Sequence, residues 1–280
     1  MRVIHTDIIT QNISQMCIEA NLVLSNDVKN RIFKAQTCEK SVIGKQILQQ
    51  LEENMLIAQE DSIPICQDTG MTVVFIEIGQ DVHFEGILLE DAINEGIRQG
   101  YQEGYLRKSV VSDPLLRENT KDNTPGIIHY SIVAGDSVKL TVSPKGFGSE
   151  NMSRVIMLKP SDGMEGVMKV VIETVELAGP NACPPMVIGV GIGGTFEKCA
   201  LLAKKALTRN LDEPSKHSHI AKMEQDLLEM INQTGIGPGG LGGVTTALGV
   251  NIETYPTHIA GLPVAVNICC HVNRHVSRHI

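Results

Sequence analysis

Residues 178–207 read AGPNACPPMVIGVGIGGTFEKCALLAKKAL, a passage that runs from a proline-bearing loop through a short apolar stretch into a segment of helical spacing. The run MVIGV, residues 186–190, is short, apolar and bounded by prolines and glycines, as a buried strand should be. After it, Phe196, Cys199, Ala203 and Ala206 recur at spacings of three and four, so they share one helical face. A loop, strand and helix in that order imply an α/β protein.

The sequence on either side agrees. DIITQNISQMCIEANLVLS places Ile9, Ile13, Met16, Cys17 and Ala20 on one helical face, and SVIGKQILQQLEENMLIAQ continues the helical reading through residue 58. MTVVFIEIG, residues 71–79, is β-branched and reads as a strand entered through a loop holding Pro64, Asp68 and Gly70. LEDAINEGIRQGYQEGYLRKS returns to helical spacing. IIHYSIVAG and VKLTVSPKG then read as strands joined at Gly135 and Asp136, with KGFGSEN as a glycine-containing loop after them. Helices are expected from Gly163 to Leu177 and over KMEQDLLEMINQTG, with a polar linker near residues 209–219. VAVNIC, residues 264–269, closes the pattern as an extended run. The expectation is an α/β fold of mixed sheets and helices, one domain over residues 1–280.

Composition narrows the function. Hydrophobic residues make up 42% of the 280, enough for a substantial core, and the net charge of −8 with dispersed Lys and Arg gives no nucleic-acid footprint. The chain has no secretory leader pattern and no apolar run of the roughly 20 residues a membrane helix needs, so a cytoplasmic protein is expected. Seven cysteines without regular spacing suit thiols that are buried, catalytic or metal-bound rather than a disulfide scaffold.

GVGIGG, residues 189–194, satisfies G-x-G-x-x-G between a strand and a helix, which raises a nicotinamide-dependent oxidoreductase. The rest of that unit is missing, because Asp212 and Glu213, the acids about 20 residues on, lie in the polar linker rather than at a strand end. Tight packing of strand on helix accounts for the glycines more simply. Cys17 and Cys199 lie on apolar helical faces and read as core. Cys66 in IPICQDTGM and Cys183 in GPNACPPM lie in loops, where functional side chains are usually presented. At the terminal CCH, side chains alternate along an extended run, so one of Cys269 and Cys270 faces a given site. Three dispersed thiols match no usual structural zinc spacing, yet zinc at CCH and an iron-sulfur cluster both stay open on spacing alone.

Six segments, ICQDTG, YLRKSVVSDPL, NTKDNTPG, PKGFGSENMSR, ACPPMVIGVGIGGT and THIAGLPVAVNICCH, occur in this order over most of the chain and resemble the α subunit of class I, iron-sulfur-dependent fumarate hydratases. The first and fifth also resemble the related L-tartrate dehydratase α subunit. The resemblance implies an iron-sulfur hydro-lyase α-type domain in which Cys66, Cys183 and Cys270 hold a 4Fe-4S cluster. Asp68 and His258 would be catalytic, and Gln67, Arg107 and the backbone at Gly148 would contact a small dicarboxylate substrate. Fumarate and (S)-malate are the implied pair, with L-tartrate or another dicarboxylate as the alternative. Single-chain members continue into a second domain that this sequence does not contain. A separate β subunit is therefore expected, in a dimer of αβ pairs. Gly239 stands where relatives often carry glutamine.

Overall fold

A computed structural model describes all of residues 1–280. In chain order the elements are β1 (Arg2–His5), α1 (Thr6–Leu22), α2 (Asn26–Cys38), α3 (Val42–Glu60), β2 (Met71–Gly79), β3 (Val82–Glu85), α4 (Leu89–Glu103), β4 (Ile127–Val133), β5 (Val138–Lys145), α5 (Phe147–Glu150), β6 (Arg154–Leu158), α6 (Gly163–Ala178), β7 (Met186–Gly193), α7 (Phe196–Ala206), α8 (Ser218–Gln233), β8 (Ala247–Tyr255), β9 (Leu262–Cys269) and β10 (Val276–His279). The class is mixed α/β. No helix is long and apolar enough to cross a membrane.

The chain forms two compact units, one comprising Met1–Ser25, Met55–Phe147 and Arg274–Ile280, the other Asn26–Asn54 and Gly148–Asn273. In the first, a four-stranded sheet runs in the order β10-β5-β2-β4, with β2 parallel to β4 and antiparallel to β5. The two strands joined at Gly135 and Asp136 are not a hairpin, because β2 lies between them. Helices α1 and α4 cover this sheet and bury Ile9, Ile13, Met16, Ile93, Ile97 and Tyr101 against Val74, Ile76, Leu140 and Val142. The apolar stripe read from DIITQNISQMCIEA is thus the core face of α1.

The second unit has a sheet of order β6-β9-β7-β8, in which β7 is parallel to β8 and antiparallel to β9. Both sheets therefore share one sequence of pairings, antiparallel, antiparallel, parallel. In each, the parallel partner is reached through helical connections, α4 in the first and α7 with α8 in the second, as a parallel crossover requires. The core of this unit joins α6 and α8 to the sheet through Val171, Val175, Leu227, Ile231, Ile188 and Val266.

Several elements differ from the sequence reading. KGFGSEN is not wholly a loop, since Phe147–Glu150 makes one helical turn. Strands β1, β3 and β10 have four residues each, too few for alternation to stand out in the sequence. GVGIGG belongs largely to β7, and its glycines serve packing. A Cβ on Gly191 would stand 2.0 Å from the Cys199 carbonyl oxygen, and one on Gly189 2.2 Å from that of Ala203, so α7 lies directly on the strand. The parallel neighbour β8 starts only at Ala247, after a second helix.

Overpacking of this kind costs about 1–3 kcal/mol. Gly191→Ala is expected to lower the thermal midpoint by several degrees, and a fluorescence titration of the wild-type chain with NADH is expected to show no binding.

Candidate active site

In the first unit, the register pairs Met71 at the start of β2 with Lys145 at the end of β5. The loop before β2, which carries Cys66, Gln67 and Asp68, is thereby brought beside the turn after β5. Asp68 joins the two. Its carboxylate accepts the Gly70 amide at 3.0 Å and the Phe147 amide at 2.8 Å. The first bond closes an Asx turn; the second holds the Phe147 amide at the end of the turn after β5. Cys66 Sγ accepts the Asp68 amide at 3.4 Å, so the thiol is fixed by the same turn. Cys66 and Asp68 are half-buried and Gln67 is exposed.

Arg107 is exposed, and its backbone is tied to this loop, since Thr69 Oγ1 donates to the Arg107 carbonyl at 2.8 Å. Asn123 braces both from beneath. It is fully buried with a left-handed φ of 65°. Its amide nitrogen donates to the Gly70 carbonyl at 3.2 Å, and its oxygen accepts the Ser109 amide at 2.7 Å. Tyr101, buried so that its phenol is pushed well above its ordinary range, donates to the Thr69 carbonyl at 2.7 Å. Arg274 completes the support, donating from Nε to the Pro144 carbonyl at 3.1 Å and from Nη2 to the Asp68 carbonyl, while its buried Nη1 has no protein partner. Sequence reasoning missed Tyr101 and Arg274, whose side chains act through backbone carbonyls and leave no motif. Asn123 did stand inside the NTKDNTPG segment.

The second unit repeats the arrangement. Val187 near the start of β7 pairs with Cys269 at the end of β9, so the loop carrying Cys183 adjoins the turn carrying Cys270. His271 Nδ1 lies 3.2 Å from the Cys183 carbonyl oxygen, as a donor to it. Cys269 is buried and Cys270 half-buried, the alternation expected of an extended end. Cys183 is exposed and left-handed, at φ 52° and ψ 63°. For a residue with a Cβ this conformation is uncommon and costs of order 1–3 kcal/mol, which the surrounding structure must offset.

His258 is placed elsewhere in this unit. It is exposed in the turn between β8 and β9, and Tyr255 at the end of β8 pairs with Gly193 at the far end of β7. The length of β7, at about 3.3 Å per residue, thus puts roughly 25 Å between the histidine turn and the Cys183 end of the sheet. A groove of about 460 Å³ adjoins His258, lined by Met164, Ile192, Met223, Ile259 and Leu262 among others.

Within neither unit do three or more His, Cys, Asp or Glu side chains converge as a metal-ion site. One loop cysteine belongs to the first unit and two to the second. The donor chemistry still suits a soft metal group. Cys183 is exposed and Cys66 and Cys270 are half-buried, whereas Cys17, Cys199 and Cys269 are buried. Burial pushes the Cys17 thiol up to about 12, which holds it protonated and inert. Cys38, also exposed, ends α2 rather than lying in such a loop.

Comparison with known proteins gives this geometry a family. A family model described as fumarate hydratase (Fumerase) matches residues 10–279. A Methanocaldococcus jannaschii protein, provisionally named L(+)-tartrate dehydratase subunit alpha, is 44% identical over 268 residues, covering 94% of each chain. The L(+)-tartrate dehydratase subunits alpha of Escherichia coli and Shigella sonnei are each 31% identical over 254 residues, covering 90% of this chain and 84% of theirs. With a match that spans both sheets and all the loops described above, the chain belongs to the fumarate hydratase (Fumerase) family.

Proposed function

We propose that this chain is the α subunit of an iron-sulfur hydro-lyase that adds water to, or removes it from, a four-carbon dicarboxylate. The observation that carries the reading is the repeated placement of a cysteine loop at the start of the central strand of each sheet, Cys66 before β2 and Cys183 before β7, with Cys270 joined to Cys183 by the ladder. Three such thiols suit a 4Fe-4S cluster with one iron left open, and that iron supplies a Lewis acid when the cluster is bound.

The chain's own residues do the rest. Arg107 offers a planar fork that binds one substrate carboxylate through two hydrogen bonds. Gln67, exposed beside Cys66, supplies an amide donor and acceptor, and the open backbone at Gly148 faces no side chain within 4 Å of its Cβ position. Asp68 uses two of roughly four carboxylate acceptor positions on the Gly70 and Phe147 amides, so the others are available to hold a hydroxyl or take its proton. His258, at the other end of its sheet, has no step in this scheme.

Two substrates are supported. The family description names fumarate, and KGFGSEN and THIAGLP resemble the fumarase segments; the relatives named above are tartrate dehydratase subunits. L(+)-tartrate therefore stands at least level with fumarate and (S)-malate. Those relatives are named as alpha subunits, which supports a β partner here; a dimer of αβ pairs is the arrangement we propose. Exposed apolar side chains at Tyr105, Leu115 and Leu116 near Arg107 in sequence, and at Ile259 beside His258, are surfaces such a partner would cover.

Anaerobic turnover of L(+)-tartrate, fumarate and (S)-malate by the αβ complex decides the substrate. One class is expected to exceed the other by about 100-fold or more in kcat/KM, as a site that does or does not hydrogen-bond an extra hydroxyl requires; no turnover of either would overturn the reading. Asp68→Asn keeps an oxygen for the Gly70 amide but sets an NH2 donor against the Phe147 amide, so the turn before β2 should hold, with some loosening at Phe147, while kcat falls about 10²- to 10⁴-fold. Arg107→Lys should instead act mainly on KM. Iron and sulfide analysis after anaerobic reconstitution should show cluster loss in Cys66→Ser, Cys183→Ser and Cys270→Ser and retention in Cys269→Ser.

A further inference from the structure

The strained Cys183 loop is held from outside by the glycine-rich segment GIGPGGLGGVTT, residues 235–246. The Gly239 amide donates to the Pro184 carbonyl at 2.8 Å, and Gly240, at φ 73°, comes so close that a Cβ there would stand 2.4 Å from Pro180 Cβ. On the strand side, the Met186 amide donates to the Thr246 carbonyl at 2.9 Å, and the Gly237 amide donates to Thr246 Oγ1 at 3.1 Å. These contacts clasp Pro180 to Met186 from both sides of the cysteine.

A segment so rich in glycine has high conformational freedom and needs an anchor of its own. Glu39, between α2 and α3, provides one. It is 2% exposed. Its carboxylate accepts the Val244 amide at 3.1 Å and the Thr245 amide at 2.9 Å, and also the Lys40 amide at 2.8 Å and the Ser41 amide at 2.9 Å. Burial alone would raise its pKa, but the Ser41, Val244, Thr245 and Lys40 bonds outweigh that and hold it below the ordinary range. Backbone crowds the carboxylate as well, since a Cβ on Gly243 would lie 2.7 Å from Oε1. Four amides on one buried carboxylate are charge-assisted bonds, stronger than neutral ones. They do more than end a helix, because two of them come from a segment 205 and 206 residues away.

The geometry points to Glu39 as a positioning residue for Cys183: its carboxylate fixes the 243–245 backbone, which sets Gly239 and Gly240 against Pro184 and Pro180 and so presents the Cys183 sulfur to its metal group. The metal part of this statement rests on the cluster reading above; the mechanical part does not. It also gives Gly239 a role that needs no side chain, as an amide donor at φ 64°.

The test compares wild type, Glu39→Gln, Glu39→Asp and Gly240→Ala. Amide hydrogen exchange on the cluster-free full-length chain should show Glu39→Gln exchanging at least about tenfold faster over residues 180–187 as well as 240–246, with residues 66–75 unchanged as an internal control. Glu39→Asp, which keeps the charge, should recover most of the protection. If only 240–246 loosens, or if all regions loosen together, the positioning role is wrong. Should Glu39→Gln fail to fold, Glu39→Asp and Gly240→Ala must show the selective change over 180–187 in milder form, and its absence counts against the proposal equally. On reconstituted protein, the half-life of cluster loss to a ferrous chelator should shorten several-fold in Glu39→Gln and recover in Glu39→Asp. A wild type that takes up no iron would sink the cofactor reading and leave the exchange result to judge Glu39.

Discussion

Antiparallel pairing of each central strand with its neighbour is the constraint on which the rest depends. Where two strands run in opposite directions, the end of one lies beside the start of the other. Register then decides which loops become neighbours. Met71 opposite Lys145 delivers the Cys66-Gln67-Asp68 loop to the turn at Gly146 and Phe147. Val187 opposite Cys269 delivers the Cys183 loop to Cys270 and His271. A one-residue slip in either ladder would send every side chain of the strand to the other face and separate these loops, so the burial of Val74, Ile76, Ile188 and Val190 indirectly fixes the chemistry.

Both units also brace their loops in the same way, with buried polar side chains acting on backbone groups. In the first, Asp68, Asn123, Tyr101 and Arg274 bond amides and carbonyls of the loop; in the second, Glu39 and Thr246 do so, with His271 alongside Cys183. Loops that expose functional atoms cannot bury enough apolar surface to order themselves, and the ordering entropy of about 1–2 kcal/mol per residue must be met by such bonds. Removing one partner leaves buried amides unsatisfied, a larger penalty than the bond's net worth.

This division explains what the sequence made legible. Strand MTVVFIEIG is bounded as read, since a β-branched run between polar turns has few alternatives. Cys17 and Cys199 fall in the core because their helical spacing says so. The loop location of Cys66 and Cys183 was legible from prolines and glycines. The bracing residues were not: Glu39 and Arg274 act over long sequence separations through the main chain, which has no sequence signature. The position of His258 at the far end of its sheet follows from strand direction, and direction is a tertiary property that local pattern does not contain. GVGIGG shows the converse, a pattern that is locally complete but whose glycines answer to Cys199 and Ala203 on α7.

Asp68 brings the remaining ambiguity to one side chain. An aspartate can both shape the turn in IPICQDTGM and present a carboxylate to a substrate, and the geometry makes the first role plain without competing with the second. An Asx turn fixes the carboxylate to within a narrow orientation, and the Phe147 amide fixes it further, so the group is preorganised rather than consumed. Preorganisation of this sort is what lets a carboxylate act without reorienting as charge develops. The same two bonds mean that Asp68→Ala would mix lost chemistry with a loosened turn. The asparagine variant keeps an acceptor for the Gly70 turn and loses only the Phe147 bond, so it separates the two roles of this residue better than alanine does.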